Sequence, residues 1–187
     1  MTVEKTAVTA VAGLMAIAAR TAPKAKGQDE ILISVLTSAR QKELSRAMTD
    51  YGTQHGLGFF LRDAKNVAAS DACLVVGVRG NVSVGINCGA CGYATCAALE
   101  KATQKKRPTT TAFAGPNCAV RMADLGIAVG SAAKTAQIHN VDNRIMYTAG
   151  SVAMNLGFLG KDCTVAYAIP LSASGKNIFF DRDLAKK

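Results

Sequence analysis

Ala72-Cys73-Leu74-Val75-Val76-Gly77-Val78 is a nearly continuous apolar run, rich in β-branched residues, and it reads as a strand covered on both faces. Outward from it, in both directions, helical and strand-like segments alternate. Upstream, Thr6–Arg20 has a helical pattern that stops at Thr21-Ala22-Pro23 and a polar loop, Lys24-Ala25-Lys26-Gly27. Residues 30–36 form a second strand candidate, in which Ile31, Ile33 and Val35 alternate with Leu32 and Ser34; a short helix fits nearly as well. Ser38–Tyr51 is helical with Leu44 and Met48 on one face, and residues 59–69 form another short helix.

Downstream of Val78 the pattern breaks into a Gly-rich stretch, Arg79–Gly92. It is followed by a predicted helix, Tyr93–Lys106, with Cys96 in its first turn. A Thr/Pro/Gly loop, 107–117, leads to two further helices, Ala119–His139 and Arg144–Leu156, the second stopped by Gly157 and Gly160. Thr164–Ile169 and Asn177–Phe180 read as strands, and a polar tail begins at Asp181. The expectation is one α/β (or α+β) domain. Residues 1–78 form the first half of its core, 79–118 an inserted segment and 119–187 the second half.

Lys and Arg number 22 against 13 Asp and Glu, a formal charge of +9. That balance favours an anionic partner, such as the acidic surface of a redox protein or a phosphate-bearing cofactor, or equally serves solubility alone. No basic run is interleaved with aromatics. The densest group, Lys101, Lys105, Lys106 and Arg107, reads as a solvated helix end, so no nucleic-acid binding is expected. Ala7–Ala19 is apolar but too short to span a bilayer, and Glu4 offsets Lys5 ahead of it. A cytoplasmic, reduced protein with no membrane association is expected.

Four of the six cysteines fall in one pattern. Asn87-Cys88-Gly89-Ala90-Cys91-Gly92-Tyr93-Ala94-Thr95-Cys96 has the spacing C-x2-C-x4-C, and Cys118 follows after 21 intervening residues. Thiolates must converge on a compact inorganic core to hold an iron–sulfur cluster, and short local loops do this. Gly89 and Gly92 stand directly after the first two cysteines, where positive φ brings backbone N–H groups towards sulfur. Cys96 near a helix N-terminus gains from the dipole, which favours thiolate. Cys88, Cys91, Cys96 and Cys118 are therefore the expected ligands of one 4Fe-4S cluster. Zinc is the competing reading, but the second half of the pattern lacks a C-x2-C knuckle, and His55 and His139 lack ligand-like spacing. Cys73 and Cys163 open strand-like runs and read as small buried hydrophobes.

The cysteine segment resembles the small ferredoxin-like domain of corrinoid iron–sulfur proteins and electron-transport subunits, although its last spacer is longer than usual there. The whole chain is similar to the uncharacterised ferredoxin-domain-containing proteins of anaerobic bacteria and archaea. The similarity runs through residues 18–27, Asp124-Leu125-Gly126-Ile127-Ala128, Ile169-Pro170-Leu171-Ser172-Ala173 and Phe179-Phe180-Asp181-Arg182. It implies ferredoxin-like electron transfer. The first helix and the loop after it are also faintly similar to the opening of flavin-dependent nitroreductases, and the order of elements permits a nitroreductase-like fold. That likeness implies an oxidoreductase in which Arg20, Lys24 and Lys26 face an FMN phosphate, although the usual paired arginines are missing. The bland alternative for those three is a solvated loop, and a redox sensor or structural cluster remains a further alternative for the whole.

No nucleophile elbow, Walker loop or Rossmann fingerprint occurs, and no catalytic residue is assigned. Gly77-x-x-Gly80 and Gly126-x-x-x-Gly130 are expected to serve close packing, and Asp124 and Asp142 to lie on helix surfaces or at caps. Met146, Met154 and Leu156 read as core, whereas Tyr147 is compatible with a site. The small-residue helices 119–139 and 144–156 would permit a homodimer or intrachain packing equally well.

Overall fold

In the computed structural model, which describes residues 2–104, 111–113 and 115–180, the predicted strand is β2 (Ala72–Val78), and all of its residues are buried. It lies inside a four-stranded sheet of order β1-β2-β4-β3, with β1 at Ile31–Val35, β3 at Asp142–Asn143 and β4 at Val165–Ser172. Every pairing is antiparallel; Ile31 faces Val78, and Ala72 faces Leu171 at the other edge of β2. The sheet therefore takes the α+β branch of the expectation. Its two inner strands, β2 and β4, are buried almost throughout because helices cover both faces, whereas the outer β1 and β3 are half-buried.

The two-residue period of β2 divides the core in two. Ala72, Leu74, Val76 and Val78 point into a layer made by α1 (Val3–Thr21) and α5 (Ala119–Ile138). Cys73 and Val75 point the other way, against α2 (Ser38–Gln54), α3 (Gly58–Ala69) and α6 (Tyr147–Asn155). In α1 the buried stripe Val8, Val11, Ala12, Met15 and Ala19 recurs at helical spacing, and Thr2 caps its start by accepting from the Lys5 N–H. Burying one Leu such as Leu74 stabilises the fold by roughly 1.5–3 kcal/mol.

Several expectations change. The predicted helix from Tyr93 starts only at Cys96 (α4, Cys96–Thr103), because the Thr95 side chain caps it by accepting from the Ala98 N–H. The helix expected from Arg144 starts at Tyr147, because Met146 is bridged to Ala168 of β4. Asn177–Phe180 is a turn rather than a strand: the Asn177 side chain accepts from the Phe179 N–H, and its carbonyl accepts from the Phe180 N–H. In its place the short β3 completes the sheet. Gly77 is packed as expected, for an added Cβ would sit 2.5 Å from the Cys163 sulfur. Gly126 and Gly130 are not closely packed: among the described residues nothing lies within 4 Å of a Cβ at either. Residues 105–110, which include Lys105, Lys106 and Arg107, residue 114 and the tail from Asp181 lie outside the described residues. Among the described residues, no helix is long and apolar enough to cross a membrane.

Candidate metal centre

At Arg79 the chain leaves the sheet and runs without regular structure to Thr95. Its start is pinned: the Arg79 N–H donates to the Glu30 carbonyl, the Arg79 guanidinium pairs with Glu30 at 2.9 Å, and the Gly80 N–H donates to Thr164 Oγ1. Its far end returns to the same place. The Cys118 N–H donates to the Gly80 carbonyl at 2.7 Å, so the distant fourth cysteine is tied to the beginning of the segment.

Cys88, Cys91, Cys96 and Cys118 line one cavity, walled by Val84, Ile86, Tyr93 and Leu99. Cys118 is buried, Cys91 and Cys96 are half-buried, and Cys88 is exposed. Cys96 begins α4 and Cys118 is the N-cap of α5, so two of the four sulfurs stand at positive helix ends. The loops between them turn through left-handed backbone: φ is 47° at Asn87, 73° at Gly89 and 83° at Gly92. Asn87 grips Cys96 from both sides. Its N–H donates to the Cys96 sulfur at 3.4 Å, and its side-chain oxygen accepts from the Cys96 N–H at 2.8 Å. That N–H first, then the Ser83 side chain, then the N–H groups of Ile86 and Gly85 lower the Cys96 thiol below its ordinary range against the opposing effect of burial. This is a donor shell suited to a thiolate.

Four thiols and no histidine line the cavity among the described residues, a donor set that suits an iron–sulfur group. Zinc needs every sulfur within about 2.3 Å of one point. Among the described residues, no three His, Cys, Asp or Glu side chains converge to hold one ion. His55 and His139 lie at the C-caps of α2 and α5 and do not line the cavity. Cys73 and Cys163 are buried in the sheet layer, where loss of hydration pushes their thiols up to about 12 and about 11, so both stay protonated.

The three basic residues of the first loop do not converge. Arg20 pairs with Asp29 at 2.6 Å and donates to the Ile31 carbonyl at 2.8 Å. Lys24 donates to the Ala19 and Arg20 carbonyls, closing the end of α1, and lies 3.8 Å from Asp29. Lys26, with φ 55°, turns the other way and reaches the Val84 carbonyl at 3.5 Å. The loop nonetheless touches the cysteine segment, since Ala25 packs on the cluster formed by Val84, Leu99 and Cys118. Tyr147 is outside this cavity and instead meets Phe59, Phe60 and Phe113, each with ring centroids 6.3 Å away.

Sequence reasoning missed Arg121. It is 1% exposed, one turn into α5 from Cys118. Its guanidinium donates to the Gln28 carbonyl, the Gln28 side chain, the Val82 carbonyl and Asp124. Asp124 is buried rather than a surface carboxylate, because its other oxygen accepts from the Ala25 N–H at 2.9 Å. The pair thus locks the first loop and the start of the cysteine segment onto α5. Only the i,i+3 spacing of Arg121 and Asp124 hinted at it.

A family model described as "Uncharacterized protein containing a ferredoxin domain (DUF2148)" matches residues 114–182, and one described as "Putative Fe-S cluster" matches residues 85–108. An uncharacterized protein of Archaeoglobus fulgidus is 43% identical over 169 residues, covering 90% of this chain and 88% of that one. Among solved structures, the NADPH:FMN oxidoreductase of Vibrio harveyi, complexed with NAD+, aligns with a TM-score of 0.53 and 11% identity over 90% of this chain and 60% of that one. A nitroreductase family protein of Clostridium novyi NT aligns with a TM-score of 0.53 and 11% identity, covering 90% of this chain and 77% of that one. An FMN-dependent nitroreductase of Clostridium difficile aligns at 0.52 and 13%, over 89% and 76%. At such identities the likeness is one of fold, and the fold is nitroreductase-like. The chain belongs to the family of uncharacterized proteins containing a ferredoxin domain, and it is an iron–sulfur protein.

Proposed function

We propose that Cys88, Cys91, Cys96 and Cys118 hold one 4Fe-4S cluster and that the protein passes single electrons to or from a redox partner. The observation that carries this reading is the shared cavity: thiols far apart in sequence line one space, with N–H groups donated to sulfur. The cluster would supply one-electron chemistry, and the chain's own groups would tune and shelter it. Hydrogen bonds to sulfur stabilise the more negative state, while Val84 and Leu99 keep water from the inner wall. Cys88 is the exposed edge. Exchange with a partner would run through that edge, and the net charge of +9 favours an acidic partner in the cytoplasm.

A second reading rests on the fold. FMN-dependent relatives of this architecture, and the contact of the first loop with the cysteine segment, support an oxidoreductase in which a flavin meets the cluster. Arg20 and Lys24, which share Asp29, would then exchange it for the flavin phosphate, while Lys26, turned towards the Val84 carbonyl, would not join them.

Anaerobic purification with iron, acid-labile sulfide and absorbance measurements tests both. About four irons and four sulfides per chain, lost in Cys91→Ala, is the expected result. Zinc in place of iron, or an unchanged cluster in that variant, would sink the assignment. Stoichiometric flavin in the purified protein would promote the second reading, and a cluster that cannot be reduced would leave only a structural or sensing role.

A further inference from the structure

Apart from the cysteine cavity, with which it shares no residue, a hollow of about 330 Å³ opens where Lys5 of α1, the first half of α2 and the turn from α3 into β2 meet. Three of its lining residues are cations, Lys5, Lys42 and Arg46, and among the described residues none of them forms an ion pair. Lys42 and Arg46 stand at i,i+4 on α2, where like charges repel, and Lys5 adds a third from a different helix. Ser38, the first residue of α2, also lines the hollow, and the first turn of that helix contains no acidic residue to balance its dipole.

The floor is rigid. Gln41, 7% exposed, donates to the carbonyls of Val67 and Ser70 and to the Ser70 hydroxyl, so it joins α2 to the end of α3. Among the described residues Asp71 is the one carboxylate in the lining, and its side chain accepts from the Ala173 N–H at 3.3 Å. Among the described residues no aromatic ring lines the hollow and Ala68 is its sole apolar residue, so these offer nothing on which a base or flavin ring would stack. Three cations from two helices, two of them exposed, together with hydroxyl groups and a positive helix end match a compact tetrahedral oxyanion.

We propose that this hollow binds the phosphate group of a small, ringless metabolite, through Lys5, Lys42 and Arg46 with Ser38 and Ser45 as hydroxyl partners. Calorimetric titration of inorganic pyrophosphate into the purified holoprotein at about 0.1 M salt tests it, because solvent-exposed charges are not yet fully screened there. Saturable binding at one site per chain is expected, weakened at least about tenfold in K42Q/R46Q. The iron content of that variant should stay at the wild-type level, since the two sites share no residue. If the double variant does not fold, Lys5→Gln carries the same expectation from a separate helix. Absence of saturable binding, equal affinity in the variants, or equally tight binding of succinate would overturn the proposal.

Discussion

The sheet with its covering helices and the cysteine segment are neighbours held together by different means. In the sheet, every residue of β2 is buried, and apolar layers press on it from both sides. Between Arg79 and Thr95 there is no helix or strand, and the apolar cluster beneath consists of Val84, Leu99 and Cys118 with a few half-buried neighbours. Dry packing of the first kind stabilises a fold unaided. The second region has too little apolar surface to offset the entropy of ordering its loops, so on the proposed assignment its order comes from bonds between its sulfurs and the cluster and from the anchors at its two ends.

Removing the cluster is the sharpest way to break the comparison. In Cys91→Ala, or after iron chelation, amide hydrogen exchange across residues 85–96 should accelerate by orders of magnitude, while the amides of β2 and β4 keep their protection. Equal loss of protection in both regions would mean that the two are one cooperative unit. Breaking the lock between them comes next. Arg121→Met leaves Asp124 buried without its partner, which should cost about 3–5 kcal/mol in urea unfolding and lower iron retention as well. Adding Asp124→Asn should recover part of both, and a variant as stable as wild type would remove Arg121 from the argument.

Two core truncations separate the regions further. Leu74→Ala should cost about 3 kcal/mol yet leave iron per folded chain unchanged, whereas Leu99→Ala should cost less stability and more iron. The reverse pattern would dissolve the distinction. The smallest effect is electrostatic. Burial raises the Asp29 carboxyl, but the hydrogen bonds from Arg20 and Ile31 and the charges of Arg20 and Lys24 outweigh it and hold the group below its usual range. Its contribution is therefore present above the unfolded carboxylate value near ~3.9 and disappears as pH falls through the lower folded value. Because the pair is partly exposed, Asp29→Asn should remove no more than about 0.2–1 kcal/mol at neutral pH and flatten the acid limb of the stability curve.

Phe179 and Arg121 show where reading the chain one residue at a time falls short. The apolar pair at 179–180 suggested a strand, but Phe179 is buried on a turn and Phe180 is 61% exposed, which only the surrounding packing distinguishes. Arg121 drew no reading from the sequence, because the Gln28 and Val82 carbonyls that enclose it are brought there by other elements.

By itself the sequence determined the features encoded within a few bonds: the apolar run of β2, the stripe of α1, and the C-x2-C-x4-C spacing with its glycines. Covalent geometry and side-chain period fix these whatever the rest of the chain does. Tertiary structure alone decided the antiparallel order of the sheet and the burial of Asp124. It also brought Cys118 back to Gly80 beside the other cysteines. Each of these joins residues far apart along the chain, and such pairs meet only when both apolar layers pack on the sheet and leave their polar groups no other partner.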